Sequence, residues 1–475
     1  MEMLIGGEWI ASSGDHRTPV INPSTLETVD HIPAGTPADV HAAVDAARSA
    51  HPGWAALPPR TRAAVLSRAA ALLRDEAPRL ATLLSREQGK PVAEARGECL
   101  GAAAVFEFDA GLASALQGSA ISALTGGGEA RVTREPLGVC GAIIPWNMPV
   151  MIAAWKLGAS LLCGNAMVLK PASSAPLAVL SLAEILTRAG LPAGVLNVVT
   201  GAGAVVGEAI ASHPGIRKVS FTGEPETGRR VAAAAAGTPA RLTLELGGSD
   251  AMIVCADADP DAAARGAVQG RFYNCGQICT AVKRLFVADA VRGDLLPRIR
   301  TLVEQIRVGD GLDPATDMGP LHSAPGRDRV ARLVDDARQE GARILAGGGI
   351  PPEAGPGYFY APTLIDGVSP DSPLFCEEVF GPVLPVAPFG DLDEAIDLAN
   401  ASPFGLGASV WTRDLACARR AADRLDVGMV WINRHMVVPP EVPFGGRKES
   451  GYNRENGIQA LDAWTETKTV LVPPG

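Results

Sequence analysis

The chain has 475 residues, of which 47% are hydrophobic and 20% charged, and carries a formal net charge of -10. That length exceeds the roughly 250 to 300 residues at which one hydrophobic core stops growing, so at least two domains are expected, and the composition excludes a disordered or fibrous chain. The acidic balance supplies no Lys/Arg stripe to meet phosphates, which removes the electrostatic basis for a nucleic-acid or anionic-membrane partner.

Along the chain, Met1-Glu2-Met3-Leu4-Ile5 lacks a basic region followed by an apolar run and does not read as a signal peptide. Eight cysteines, none in CxxC spacing, are too sparse for a disulfide scaffold or a zinc site. No metal and a reducing, cytoplasmic location are therefore expected. The N-terminal third reads as helical and Ala-rich, notably over 38–50 and 60–88. The stretch 137–155 carries no charge and is long enough to raise the question of a membrane span. Gly138, Gly141, Pro145, Asn147 and Pro149 interrupt it, so it predicts a strand, a turn and a buried helix.

Short apolar runs at 137–144, 166–170, 195–199, 218–222 and 241–246 alternate with helical stretches at 175–189, 204–212 and 226–236. Such alternation predicts a doubly wound parallel sheet. A second series follows, with strands at 251–254 and 283–288, helices from 259 and around 292–307, and further units to about 435. The fold class is thus α/β with two α/β domains.

Several segments carry chemistry. Gly201-Ala202-Gly203 with Gly207, and 223–228, place glycines after a strand at the start of a helix, where free N-H groups hold phosphates. The first has one residue more than GxGxxG, and such turns are often only turns. Cys279, in Asn274-Cys275-Gly276-Gln277-Ile278-Cys279-Thr280, is either an inert core thiol or a nucleophile on a partly exposed loop. Glu245 lies within the apolar run Leu242-Thr243-Leu244-Glu245-Leu246, as a buried general base with raised pKa or as a surface Glu of an edge strand. Asn147, in Pro145-Trp146-Asn147-Met148-Pro149, is a turn former or an amide donor to an oxyanion.

Taken together, the PWN turn, the ELGG strand and the GQxC loop, with Glu245 and Cys279 34 positions apart (279 minus 245), resemble the aldehyde dehydrogenase superfamily. The resemblance runs from Ile5-Gly6-Gly7-Glu8-Trp9 to Thr467-Lys468-Thr469-Val470 and includes Glu378-Val379-Phe380-Gly381-Pro382, Pro443-Phe444-Gly445-Gly446 and Lys448-Glu449-Ser450-Gly451. It implies Cys279 as nucleophile, Glu245 as general base and Asn147 as oxyanion donor. The implied cofactor is NAD or NADP. Lys170 and Ser173 would meet its adenine ribose, Phe221, Thr222, Gly223 and Glu224 its pyrophosphate, and Glu378 and Phe380 its nicotinamide ribose. Gly203 and Gly207 would flank the cofactor, and Ile143, Trp146, Thr227 and Leu246 complete the set.

The resemblance also implies a Rossmann-like cofactor domain (1–117 and 138–247), an α/β catalytic domain (248–456), and a small β-ribbon oligomerisation domain (118–137 with 457–475) in a homodimer or homotetramer. A hairpin through Gly126-Gly127-Gly128 is compatible with that ribbon. Two departures stand out: Ser173 replaces a Glu common in relatives, which opens the choice of cofactor, and Glu224 replaces a Ser, repelling a pyrophosphate unless it turns away or pairs with Arg229 or Arg230.

The resemblance further implies an aldehyde as the small-molecule substrate. Met148, Ile152, Trp155, Tyr273, Val438 and Phe444 align with the aldehyde tunnel, all uncharged, where semialdehyde enzymes often carry Arg at the position of Trp155. Medium-chain aliphatic or aromatic aldehydes are therefore expected, with Arg434 and His435 able to reach the mouth. The competing readings are a semialdehyde dehydrogenase, including the CoA-acylating type, against which Glu245 argues, and a catalytically silent protein on the same fold.

Overall fold

Five apolar runs pair side by side as parallel strands, in the order Leu196–Val198, Ala166–Lys170, Val139–Ile143, Lys218–Thr222, Arg241–Glu245. Their side chains are almost wholly buried because helices cover both faces, which is why they read as unbroken apolar runs rather than alternating ones. The strand order reverses between Val139–Ile143 and Lys218–Thr222, and ligands bind outside the carboxyl ends of strands at such a reversal. In this computed structural model every residue is described except 123, 126, 354, 474 and 475.

The N-terminal third is less purely helical than its composition predicts. Met3–Ile5 and Glu8–Ile10 add two antiparallel strands to one edge of that sheet, and Arg17–Ile21 pairs with Thr28–Pro33. Helices Pro37–Ala55, Pro59–Gln88 and Val92–Gly111 then pack on the sheet. The first opens with a capping box, Thr36 and Asp39 each bonding the other's backbone N-H.

The apolar stretch from 137 resolves into the strand Val139–Ile143, a turn, and the buried helix Pro149–Cys163. Among the described residues no helix is long and apolar enough to cross a membrane. The stretch expected as a helix over 204–212 begins instead with a wider π turn, Gly203–Gly207, before the α-helix Glu208–Ser212.

A second sheet follows in the order Arg343–Ala346, Thr363–Asp366, Val383–Phe389, Val282–Ala288, Asp250–Val254, Gly407–Trp411, Met429–Ile432, parallel except at its first strand, around its own core. A third, three-stranded sheet joins Ser119–Ile121, Glu129–Pro136 and Thr465–Val472, the last two in eight antiparallel register pairs. Its outer surface exposes Ile121, Val470, Leu471 and Val472. Gly127 and Gly128 both take positive φ, as a tight turn requires, while Gly126 lies outside the described residues.

Candidate active site

Glu245 ends the strand Arg241–Glu245 at the carboxyl edge of the first sheet, and Leu246 to Ser249 lead directly into Asp250–Val254 of the second. Its side chain is 3% exposed and neither carboxyl oxygen has a hydrogen-bond partner. Burial, reinforced by the nearby Glu455 carboxylate, raises its pKa well above the carboxylate range, and Lys156 opposes the shift. The surface reading of this Glu is thereby overturned. Glu455 itself is held by Lys156 Nζ at 2.8 Å and Ser220 Oγ at 2.7 Å.

Cys279 sits on the loop between helix Pro260–Phe272 and strand Val282–Ala288, at the amino edge of the second sheet, and is half-buried. Burial pushes its thiol up to about 12, with Lys283 pulling the other way. The loop is reached through Asn274 (φ 50°), Cys275 (φ 56°) and Gly276 (φ 72°), three successive left-handed residues. Such backbone costs about 1–3 kcal/mol per non-Gly residue and persists only where the surroundings enforce it. Those surroundings are specific: Asn274 N donates to Glu94 Oε2, Gln88 Nε2 to Asn274 Oδ1, and Gln277 Nε2 to Asn274 O. A Cβ on Gly276 would stand 2.4 Å from the Gly381 carbonyl, so only glycine fits.

Asn147 is fixed from both ends. Its carbonyl accepts from Lys90 Nζ (2.7 Å) and Asn274 Nδ2 (3.0 Å), and its own Nδ2 donates to Gln277 O at 3.0 Å, leaving the second amide hydrogen free. Lys90 pairs with Glu98 at 2.5 Å, both fully buried. The other Glu98 oxygen accepts from Val150 N and Met151 N at the start of helix Pro149–Cys163, satisfying donors a Pro-led helix leaves open. Removing one partner of a buried pair typically costs about 3–5 kcal/mol, so this framework resists drift of the amide.

Between the two sheets lies a cavity of about 660 Å³ lined by Trp146, Asn147, Ile152, Thr222, Gly223, Glu224, Leu246, Cys279, Glu378 and Phe380 among others. It opens beside the reversal point of the first sheet. Gly223 precedes helix Pro225–Ala235, whose first N-H groups are free for an anion. Farther along the same edge, Gly207 leaves room 3.7 Å from Lys170 Cδ and 3.8 Å from Ile143 Cδ1. Burial lowers the pKa of Lys170 to about 8, and among the described residues its ammonium donates only to the Pro171 carbonyl. A glycine at a helix start, this buried cation and an aromatic wall of Trp146 and Phe380 (5.6 Å, edge-on) fit a dinucleotide.

The Aldehyde dehydrogenase family pattern matches residues 9–470. This chain belongs to that family. It is 44% identical to a betaine aldehyde dehydrogenase of Rhizobium etli over 99% of this chain and 97% of that one. It is 41% identical to a phenylacetaldehyde dehydrogenase of Pseudomonas fluorescens over 99% and 95%. The betaine aldehyde dehydrogenase of Staphylococcus aureus in complex with NAD+ superposes with a TM-score of 0.96 at 34% identity, covering 99% of this chain and 94% of that one. The protein is accordingly an oxidoreductase that oxidises aldehydes with NAD or NADP.

Within this aldehyde dehydrogenase, Cys279, Asn147 and eight of the expected cofactor and tunnel residues line one cavity. Ile143, Lys170 and Gly207 lie together outside its lining, and Ser173 Oγ donates to the Gly201 carbonyl at 2.6 Å. Gly203 is exposed on its turn, Phe221 is buried under Gly223, and Thr227 lies within helix Pro225–Ala235.

Two expectations need correction. Glu224 pairs with neither arginine, because Arg229 faces Glu449 and Arg230 faces Glu226; it stands instead as the extended residue before helix Pro225–Ala235. Of the six tunnel candidates Ile152 lines this cavity, and the tunnel role of the other five is a proposal. Trp155 and Phe444 pack on each other (centroids 5.0 Å apart), Met148 Sδ lies 3.2 Å from Lys90 Nζ, Tyr273 is half-buried toward Glu94, and Val438 is half-buried. His435 is buried, bonded to the Thr280 carbonyl and held neutral with a pKa near 4, so it brings no charge to a mouth; Arg434 is exposed. Lys90, Glu94, Glu98 and Lys283 were not anticipated. For Lys283 the available signal was a charged residue at the start of an apolar strand, whereas Lys90, Glu94 and Glu98 lie in the charge-rich stretch 86–98 and carry no such mark.

Proposed function

We propose that this enzyme oxidises medium-chain aliphatic or aromatic aldehydes through a thioester on Cys279, which Glu245 then hydrolyses. The observation that carries the reading is the approach of the two segments that bear these groups. Three residues beyond Glu245, a Cβ on Gly248 would stand 2.8 Å from the Cys279 carbonyl, and among the described residues Glu245 is an unpartnered buried carboxyl. A base of that kind serves water activation and favours hydrolysis over acyl transfer to CoA.

In the mechanism, Cys279 Sγ gives its proton to solvent water and adds to the aldehyde carbon, and the oxygen that becomes anionic is met by the free Asn147 amide hydrogen and the Cys279 N-H. The nicotinamide, when bound, supplies the hydride acceptor. Glu245 then takes a proton from water attacking the thioester, and Cys279 leaves as the acid is released. Thr222, Gly223 and the start of helix Pro225–Ala235 hold pyrophosphate, Lys170 and Ser173 the adenine ribose, and Glu378 with Phe380 the nicotinamide end.

The apolar substrate class rests on the absence of charge at all six tunnel candidates, Met148, Ile152, Trp155, Tyr273, Val438 and Phe444, the Trp155 and Phe444 aromatic pair among them, since burial supplies roughly 25 cal/mol per Å² while an unpaired carboxylate costs several kcal/mol. The same aromatic pair favours a second reading, a quaternary-ammonium aldehyde held by cation-π attraction, in keeping with the betaine aldehyde relatives. Catalytic efficiency on hexanal, benzaldehyde, betaine aldehyde and succinate semialdehyde is expected to be highest for the first two. An advantage for betaine aldehyde selects the second reading, and one for the semialdehyde overturns both.

NADP is expected to be accepted, because Ser173 carries no charge to repel a 2′-phosphate and Lys170 is spare to attract one. Ser173→Glu is expected to shift the ratio of NAD to NADP efficiency toward NAD by about tenfold or more. An unaltered ratio would show that this position does not set the choice.

The domain limits 1–117 with 138–247, 248–456, and 118–137 with 457–475 accord with the three largest sheets except at Gly451–Tyr452, which pairs with Arg241–Glu245 of the first, and the exposed Ile121, Val470, Leu471 and Val472 support the last as the surface that joins a homodimer or homotetramer. Eight free cysteines support a cytoplasmic, reducing location.

A further inference from the structure

Lys283 lies one residue into the strand Val282–Ala288 and is wholly buried. Its Nζ donates to the Ile278 carbonyl at 2.8 Å and the Cys279 carbonyl at 2.6 Å, and pairs with Glu378 Oε1 at 3.0 Å. Three acceptors saturate the three N-H groups of an ammonium. The same Glu378 oxygen accepts from Gly248 N at 3.1 Å, and Glu378 packs so closely on Gly247 that a Cβ there would stand 2.0 Å away. One buried cation thus ties the strand bearing Glu245, the loop bearing Cys279 and the segment bearing Glu378.

The geometry of one peptide group gives this grip a chemical meaning. The chain has no cis peptide bond among its described residues, so the N-H of Cys279 points opposite to the C=O of Ile278. With that carbonyl drawn to Lys283, the N-H is turned the other way. It has no acceptor among the described residues, although buried backbone donors are nearly always paired. A cation on the carbonyl end also polarises the amide and strengthens its N-H as a donor.

We propose that Lys283 is a positioning residue for the oxyanion site: it aims and polarises the Cys279 N-H, and through Glu378 couples that donor to the wall where the nicotinamide ribose would lie. The proposal rests on Cys279 being the nucleophile. The titratable groups facing Cys279 are Lys283, Glu378, Asp250 and Glu245, and of these Lys283 alone favours the thiolate.

The test uses the full-length enzyme with Lys283→Met, which removes charge and donors, Lys283→Gln, which keeps neutral donors, and Glu378→Gln. Three readouts are taken: the pH profile of iodoacetamide addition to Cys279 followed by peptide mass, the single-turnover rate of reduced-nucleotide formation, and the KM for the nucleotide. Lys283→Met is expected to move the alkylation midpoint to higher pH, to lower the single-turnover rate about 100-fold, the scale of a lost oxyanion donor, and to raise the nucleotide KM. Lys283→Gln should recover part of the rate but not the alkylation profile, a split that loss of packing would not produce.

If Lys283→Met does not fold, Lys283→Gln and Glu378→Gln carry the test. Removing the Glu378 charge while keeping the lysine should move the midpoint to lower pH. Wild-type alkylation profiles and single-turnover rates in the folded variants would overturn the role of Lys283 while leaving Cys279 as nucleophile. Full turnover by Cys279→Ala would instead remove the nucleophile, and the proposal with it.

Discussion

Cys279→Ala is expected to form no reduced nucleotide with any aldehyde, a loss of about 10⁴-fold or more, while still binding the nucleotide. The expectation separates Cys279 from the seven other cysteines. Cys99, Cys140, Cys163, Cys255 and Cys275 are buried away from the cavity, and Cys417 lies on the surface helix Leu415–Arg424. Cys376 also lines the cavity, but its Sγ donates to the Pro370 carbonyl. Without a sulfur at position 279 no adduct forms for the Asn147 amide to stabilise, so the remaining machinery has nothing to act on. Turnover above background in this variant, with Cys376→Ala inactive, would transfer the role to Cys376.

Glu245→Gln is expected to behave differently. It should release at most one equivalent of reduced nucleotide and then stall, with steady-state hydrolysis slowed roughly 10²- to 10⁴-fold, the usual range for a lost general base. The thioester should then be recoverable as an acylated Cys279 peptide. The pH dependence has a definite sign. Burial and Glu455 raise the Glu245 pKa, so its proton is retained to higher pH, and the ionised base that drives hydrolysis accumulates as pH rises. Wild-type hydrolysis should therefore go on increasing with pH above the ordinary carboxylate range, and the Gln variant should lose that rise. Steady turnover at the wild-type rate would mean that another group activates the water.

The strands Ala166–Lys170 and Lys218–Thr222 could be read to the residue because a strand covered on both faces is an unbroken apolar run with clear ends. Met3–Ile5 and Glu8–Ile10 could not, since three residues give no period to detect and only their pairing with each other, and of Leu4 with Val198, makes them strands. Cys279, Glu245 and Asn147 stood out because each is a reactive or polar side chain bounded by Gly or Pro in an apolar context. Lys90 and Glu98 did not. They lie eight positions apart on different segments, and a buried ion pair has the same sequence appearance as two surface charges until the fold brings them to 2.5 Å. Trp155 and Phe444 show the opposite limit: their apolar character was legible, but their packing on each other rather than into the cavity depends on a contact 289 positions long (444 minus 155).

The three-stranded sheet has a consequence in time as well as space. Strand Glu129–Pro136 finds its longer partner in Thr465–Val472, and the hydrogen bond from Thr133 to Lys468 spans 335 positions. At the usual pace of synthesis, about 5–20 residues per second, the earlier strand emerges roughly 15 to 70 seconds before the later one exists. Through that interval its backbone N-H and C=O groups form an open edge, and open edges recruit whatever strand is nearest. The charged pattern of the waiting strand, Glu129, Arg131, Arg134 and Glu135, is the kind that keeps such an edge solvated. The nascent chain thus carries its own protection against premature pairing on the ribosome.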